Sequence, residues 1–153
     1  MPYEMKISTR GRYALRIMLD IAVNGGDGPV SFRDVSQRQG ISVKYMEQIG
    51  SILTRAGFLR SVRGAQGGYY LVGKPSNITV GDILRVTEGQ FHLTPCTEAD
   101  SACDRTPDCM TYPLWDELNK AILNVVDNTT LQDLIDENAR RRIVTIDGSE
   151  YGI

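Results

Sequence analysis

Three cysteines, Cys96, Cys103 and Cys109, are the only ones in the 153-residue chain, and they sit together at the spacing C-x6-C-x5-C. Their neighbours include the carboxylates Glu98, Asp100, Asp104 and Asp108. An odd number of thiols argues against a disulfide framework. Structural zinc is normally four-coordinate and built on a C-x2–4-C knuckle, which is missing here. Iron–sulfur ligation tolerates wider spacing, because the loop must wrap irons that lie some distance apart. Acidic neighbours disfavour free thiolates, and a bound cationic metal is what would keep three of them deprotonated together. The leading reading is an iron–sulfur site, with a metal-free redox or regulatory thiol site next, and zinc or no function after it.

No second chemical constellation competes with this loop. His92 is the sole imidazole, so triads and imidazole-based acid–base schemes have one base to draw on. It reads as a loop or core histidine, and an enzyme is the minority class.

Upstream of the loop lies the basic half of the chain. Residues 1–74 carry 11 Lys/Arg against 5 Asp/Glu, while residues 75–153 carry 6 against 14. Phosphate contact requires such a basic half. Within it, Ser42 is a good N-cap, and Met46, Ile49, Leu53 and Ala56 recur at helical steps as one buried face of a helix over 43–56. Lys44, Glu47, Gln48, Ser51 and Arg55 fall on the opposite, hydrogen-bonding face. After Gly57, the apolar run 58–62, the turn Arg63-Gly64-Ala65-Gln66-Gly67-Gly68 and the run 69–72 read as a β-hairpin with a basic tip. A phosphate-cradling loop is the rival for Gly64, Gly67 and Gly68, but such a loop opens a helix. This one opens a strand.

The remaining segments complete a winged helix-turn-helix. Residues 8–24 place Ala14, Ile17, Met18, Ile21 and Ala22 on one stripe, with Leu15 and Leu19 widening it and Arg10 and Arg12 at its start beside any DNA backbone. Ser31 begins a short helix over 32–39 that ends at Gly40, and the turn to Ser42 makes the helix-turn-helix. Thr79 to Asp82 starts another helix to about Thr87. From Tyr112 to Asp127, Leu114, Trp115, Leu118, Ile122, Val125 and Val126 line one side of a long helix with no evident partner in the winged part, which reads as the dimer-forming helix. A helix folded back on its own domain is the other reading. A short helix begins at Thr129, and residues after Asn138 read as a charged, mobile tail.

The expected fold class is therefore mainly α with a small β-hairpin. The divisions are 1–75, the winged DNA-binding domain; 76–111, a short helix and the cysteine loop; 112–138, the dimerisation and last short helix; and 139–153, the tail. No stretch approaches the apolar length of a membrane span, and the N-terminus lacks a secretory h-region, so the expected location is cytoplasmic with no membrane partner.

KISTRGRYALRIMLDIA, ISVKYMEQI, SVRGAQGGYYL, ITVGDI, the three-cysteine loop and the PLW after it resemble a family of bacterial winged-helix regulators. That family includes the iron–sulfur cluster regulator, the nitric-oxide-sensing repressor and the cysteine-metabolism repressor. The resemblance spans roughly residues 5–137. It implies a homodimer on a partly palindromic double-stranded operator, with the helix after Ser42 in the major groove. Positions matching base-contacting residues are Lys44, Glu47 and Gln48, and Arg63 matches a wing arginine that enters the minor groove. With the residues around them, the candidate DNA contacts are Arg10, Arg12, Ser42, Lys44, Tyr45, Glu47, Gln48, Arg63, Gly64, Gln66 and Gly67.

The resemblance also implies a regulator, a repressor by preference, of iron–sulfur or cysteine and sulfur metabolism genes, gated by a cluster on Cys96, Cys103 and Cys109. Where the cluster regulator has a histidine as fourth ligand, this chain has Tyr112. Where the nitric-oxide sensor uses an N-terminal aspartate, it has Arg12. The fourth ligand stays open, with Tyr112 a candidate. The tail Ser149 to Ile153 is more like that of the cysteine-metabolism repressor, whose partner is cysteine synthase. The alternative is thus a cluster-free repressor that binds this enzyme through Tyr151, Gly152 and Ile153.

Overall fold

A computed structural model describes residues 6–98 and 103–146. Helix α1, Thr9–Asn24, starts at Ser8, whose hydroxyl accepts from the Gly11 N–H, and buries Ala14, Ile17, Met18 and Ile21. Helix α2, Phe32–Gln39, is capped by Ser31 and stopped by Gly40 at φ 64. Only glycine takes that left-handed turn without strain, and it redirects the chain into the next helix. Helix α3, Val43–Arg55, is capped by Ser42 and buries Met46, Ile49, Gly50 and Leu53.

Strands β1, Leu59–Val62, and β2, Gly68–Leu71, pair antiparallel with Leu59 opposite Leu71 and Val62 opposite Gly68. The Val30 and Tyr69 backbones exchange two hydrogen bonds of 2.9 Å, which ties the segment before α2 to the hairpin. Among the described residues, Ala14 and fourteen other buried apolar side chains form one core drawn from α1, α2, α3, the hairpin, the segments between them, Ile78, Ile83 and Leu131. Burying each of the larger ones contributes about 1.5–3 kcal/mol.

Helix α4, Val80–Glu88, opens with the reciprocal capping box of Thr79 and Asp82. Helices α5, Tyr112–Asn128, and α6, Leu131–Ile146, follow. Arg85 pairs with Asp127 at 2.7 Å, and Val80 N–H donates to the Thr129 carbonyl at 2.8 Å, so α4 holds the end of α5.

Three differences from the sequence reading stand out. Ala56 is the exposed C-cap of α3 rather than part of its buried face. The stripe on α5 is divided: Ile122 and Val126 face Leu84 and Phe91 of its own chain, while Leu114, Leu118 and Val125 are exposed. The last helix is not short, because it runs through Ile146, past the expected start of the tail at 139. Ion pairs of Glu137 with Arg140 and Arg141, and the Gln132–Asp136 hydrogen bond, supply the one-turn contacts that carry it.

Candidate nucleic-acid interface

Burying Met46, Ile49 and Leu53 forces Lys44, Glu47, Gln48, Ser51 and Arg55 outward, and all five are exposed. Ser42 is exposed and its hydroxyl accepts from Tyr45 N–H at 3.2 Å, which orders the first turn of α3. Tyr45 is half-buried against Tyr13, edge to face with centroids 5.7 Å apart. Residues Ser8, Thr9 and Arg10 of the α1 start share a groove with Tyr45, Gln48 and Ile52 of α3. Arg10 is thereby brought beside Gln48. Arg12, two residues on, is exposed and donates to the Thr9 hydroxyl at 3.4 Å.

At the hairpin tip Arg63, Gly64 and Gln66 are exposed, and Gly67 is half-buried with its N–H on the Gly64 carbonyl at 3.0 Å. Arg63, Gly64 and Gly67 line a second groove with Phe32 and Tyr69. The expected contacts thus form two clusters, one on the α1 and α3 starts and one on the wing. Tyr69 of β2 stacks its ring on Phe32 of α2 with centroids 3.6 Å apart.

A buried carboxylate ties α1 to the end of α2. Asp20 of α1 is buried and receives Arg38 through Nε at 3.0 Å and a terminal nitrogen at 2.7 Å, while Gln39 donates to it at 2.8 Å. The Asp20 carboxylate raises the Arg38 pKa above its ordinary value, chiefly through this hydrogen bond. Arg16 lies over the Tyr13 ring at 5.1 Å and donates to Gln39 at 3.1 Å. Sequence reading missed this cluster, because partners 18 and 19 positions apart on two helices leave no periodic signal.

The cysteines flank the stretch 99–102. Cys96 lies in the 3-10 turn Pro95–Thr97 with the Thr94 hydroxyl 3.0 Å from its sulfur. Cys103 is exposed. Cys109 precedes α5, its sulfur 3.3 Å from the Thr111 hydroxyl. That hydroxyl, the Thr111 and Tyr112 backbone N–H groups and Arg105 hold the Cys109 thiol below its ordinary pKa. None of the three is in a disulfide. Among the described residues no three His, Cys, Asp or Glu side chains come together as a metal group. Three thiols are the donor type that iron–sulfur clusters take, but the described residues do not gather them into one metal group. Tyr112, the first residue of α5, is half-buried, and His92 is exposed.

The loop is anchored where it leaves α4. Glu88, the last residue of α4, accepts from Ser8 N–H at 3.1 Å and from the Ser8 hydroxyl, so the cap of α1 is also the anchor of α4. Tyr151, Gly152 and Ile153 lie outside the described residues. Among those described, no helix is long and apolar enough to cross a membrane.

Comparison with known proteins agrees with this geometry. The Rrf2 family, described as an iron-dependent transcriptional regulator, matches residues 7–137. Protein rrf2 of Nitratidesulfovibrio vulgaris is 43% identical over 131 residues, covering 86% of this chain and 87% of that one. The HTH-type transcriptional regulator IscR of Aliivibrio salmonicida is 38% identical over 139 residues, covering 91% and 82%. The solved structure of CymR, the global cysteine regulator of B. subtilis, superposes with a TM-score of 0.74 at 40% identity, covering 88% of this chain and 98% of that one.

Proposed function

The chain belongs to the Rrf2 family of transcription regulators, which is not enzymatic, and from that premise we propose a homodimeric repressor that reads a partly palindromic operator with α3 and the wing. The observation that carries the reading is the division of α3. Its buried face is locked to the core while Lys44, Glu47 and Gln48 stand exposed, with Gln48 sharing a groove with Arg10. A helix so held presents the same side chains to every major groove it enters, and those types suit base edges: Glu47 accepts from a cytosine amine, and Gln48 pairs with adenine. Arg63 at the exposed wing tip suits the adjacent minor groove. Ser42, Tyr45, Gly64, Gln66, Gly67 and Arg12 support these contacts or meet backbone.

Dimerisation is assigned to α5. Leu114, Leu118, Ala121 and Val125 are exposed at steps of four, three and four, an apolar seam of the kind two helices bury together.

Cys96, Cys103 and Cys109 are the residues that would hold an iron–sulfur cluster, and Tyr112 is the candidate fourth ligand. Such a group, when bound, supplies sensitivity to iron supply and redox state. The chain's own part is to hold the Cys109 thiol in a thiolate-favouring seat at the start of the dimer helix, and to tie the α4 end of the loop to α1 through Glu88 and Ser8. The family's description as iron-dependent and the likeness to CymR, a global cysteine regulator, support target genes of iron–sulfur or cysteine and sulfur metabolism.

A second reading rests on the likeness to the CymR structure: a cluster-free repressor that senses cysteine supply by binding cysteine synthase through Tyr151, Gly152 and Ile153. A visible-absorption spectrum of anaerobically purified protein separates the two. Charge-transfer bands in the visible region support cluster gating. A featureless spectrum, with calorimetric binding to cysteine synthase that is lost on deleting Ile153, supports the second.

A further inference from the structure

Between α3 and the hairpin lies a groove that the base-reading side chains do not occupy. Ser51, Thr54 and Arg55 of α3 line one wall, Ser61 of β1 the other, and Tyr69 the floor. Ser51 and Arg55 continue the exposed face of α3 beyond Glu47. Ser61 follows the buried Leu59 by two residues, so it points to the α3 side of β1. Arg55 donates to the Ser51 hydroxyl at 3.4 Å and forms no ion pair among the described residues. The Thr54 hydroxyl oxygen is buried behind the groove and has no hydrogen-bond partner among them. No carboxylate lines the groove.

In B-form DNA the major and minor grooves are separated by a phosphodiester strand. If α3 lies in the major groove and Arg63 in the adjacent minor groove, that strand must cross the gap between α3 and β1. What the protein presents at the gap is a guanidinium and the Ser51 and Ser61 hydroxyls, the donor set that phosphate oxygens accept from.

We infer that Ser51, Arg55 and Ser61 seat one phosphodiester of the strand between the two grooves, with Arg55 as its charge partner. The seat fixes the register of α3 relative to the wing, so these are positioning residues and carry no sequence information of their own. The inference rests on the DNA reading proposed above and specifies where the backbone passes.

The test uses full-length protein, an operator selected by it from a pool of random-sequence duplexes, and one unselected random duplex. Dissociation constants are measured against salt concentration. Arg55→Gln is expected to weaken both duplexes by the same factor and to flatten the slope of log affinity against log salt by about one. Ser61→Ala should weaken both without changing the slope. Lys120→Gln, which removes an exposed charge on α5, should change neither. Replacing single phosphates by methylphosphonates across the operator should find one position at which wild type and Arg55→Gln bind equally. An unchanged slope for Arg55→Gln, with wild-type binding intact and Glu47→Ala still relaxing specificity, overturns this seat alone. An equal slope change in Lys120→Gln, or no methylphosphonate position that equalises the two proteins, overturns it as well. Absence of salt-dependent duplex binding by the wild type overturns the seat and the DNA reading together.

Discussion

The Tyr69 side chain fills the space where a side chain on Gly50 would be: a Cβ built on Gly50 comes within 2.7 Å of the Tyr69 Cζ. The wing is thereby pressed against the middle of α3, and the glycine in that helix is explained by the ring above it. Gly50→Ala should gain the usual helix propensity yet lower stability by about 1–3 kcal/mol, because a rigid aromatic ring must shift in a packed core. Thermal unfolding checks this, and Tyr69→Phe should recover part of the loss in the double variant. A stabilised Gly50→Ala would mean that the ring moves freely.

Tyr69 also sets an alkaline limit. Burial, with a smaller contribution from Glu47, pushes its pKa up to about 12 from an ordinary value of 10.0. A group whose folded pKa is raised contributes stability that is complete below the unfolded pKa and is lost as pH climbs toward the folded one. Denaturant midpoints should therefore fall between pH 10 and about 12 in the wild type, and Tyr69→Phe should flatten that fall. Identical pH profiles in the two proteins would place the alkaline transition elsewhere.

The Asp20 and Arg38 pair gives an asymmetric prediction. The Asp20 side chain is 2% exposed and that of Arg38 40%, so removing the arginine strands a buried carboxylate, whereas removing the carboxylate leaves a cation that can reach water. Arg38→Ala should cost about 3 kcal/mol and Asp20→Asn clearly less. Urea unfolding of the two variants compares them. Equal losses would mean that Gln39 alone satisfies the carboxylate.

How far the sequence led can be judged from particular residues. Ser8, Ser31, Ser42 and Thr79 begin helices where their side chains promise caps, and Gly40 ends α2 as its position suggests, because capping is a local property. Asp20, Glu88 and the closeness of Tyr69 to Gly50 were illegible, since each depends on elements brought together from distant positions. The length of α6 was missed for a different reason: an exposed helix held by charge pairs has little apolar periodicity to read. In the candidate interface, the residue types were legible on α3 and in the wing, while the meeting of Tyr45 and Gln48 with Arg10 in one groove needed the fold.

The seam on α5 predicts assembly. Leu118→Glu places a charge in the middle of Leu114, Leu118, Ala121 and Val125, and should convert a dimer to a monomer in sedimentation with helix content retained. Operator affinity should fall with it, since two half-sites about 34 Å apart are no longer read by one particle. A Leu118→Glu protein that stays dimeric would move the interface off this face.

For the cysteine loop, replacing any one of Cys96, Cys103 or Cys109 by Ala should abolish the visible absorption of anaerobically purified protein, because too few thiolates remain to anchor a cluster. Tyr112→Phe is the sharper variant. Lost absorption would assign the phenolate as fourth ligand, and unaltered absorption would exclude it.

The central claim, that α3 reads bases, is tested most directly by the affinity of Glu47→Ala for the selected operator and for random duplex, with Arg12→Ala alongside. The account predicts that Glu47→Ala narrows the ratio of specific to non-specific affinity while leaving random-duplex binding nearly unchanged, by about 1–3 kcal/mol for a base contact of this kind. Arg12→Ala should weaken both duplexes alike. Equal losses on operator and random duplex for Glu47→Ala would contradict the assignment of α3 as the reading helix.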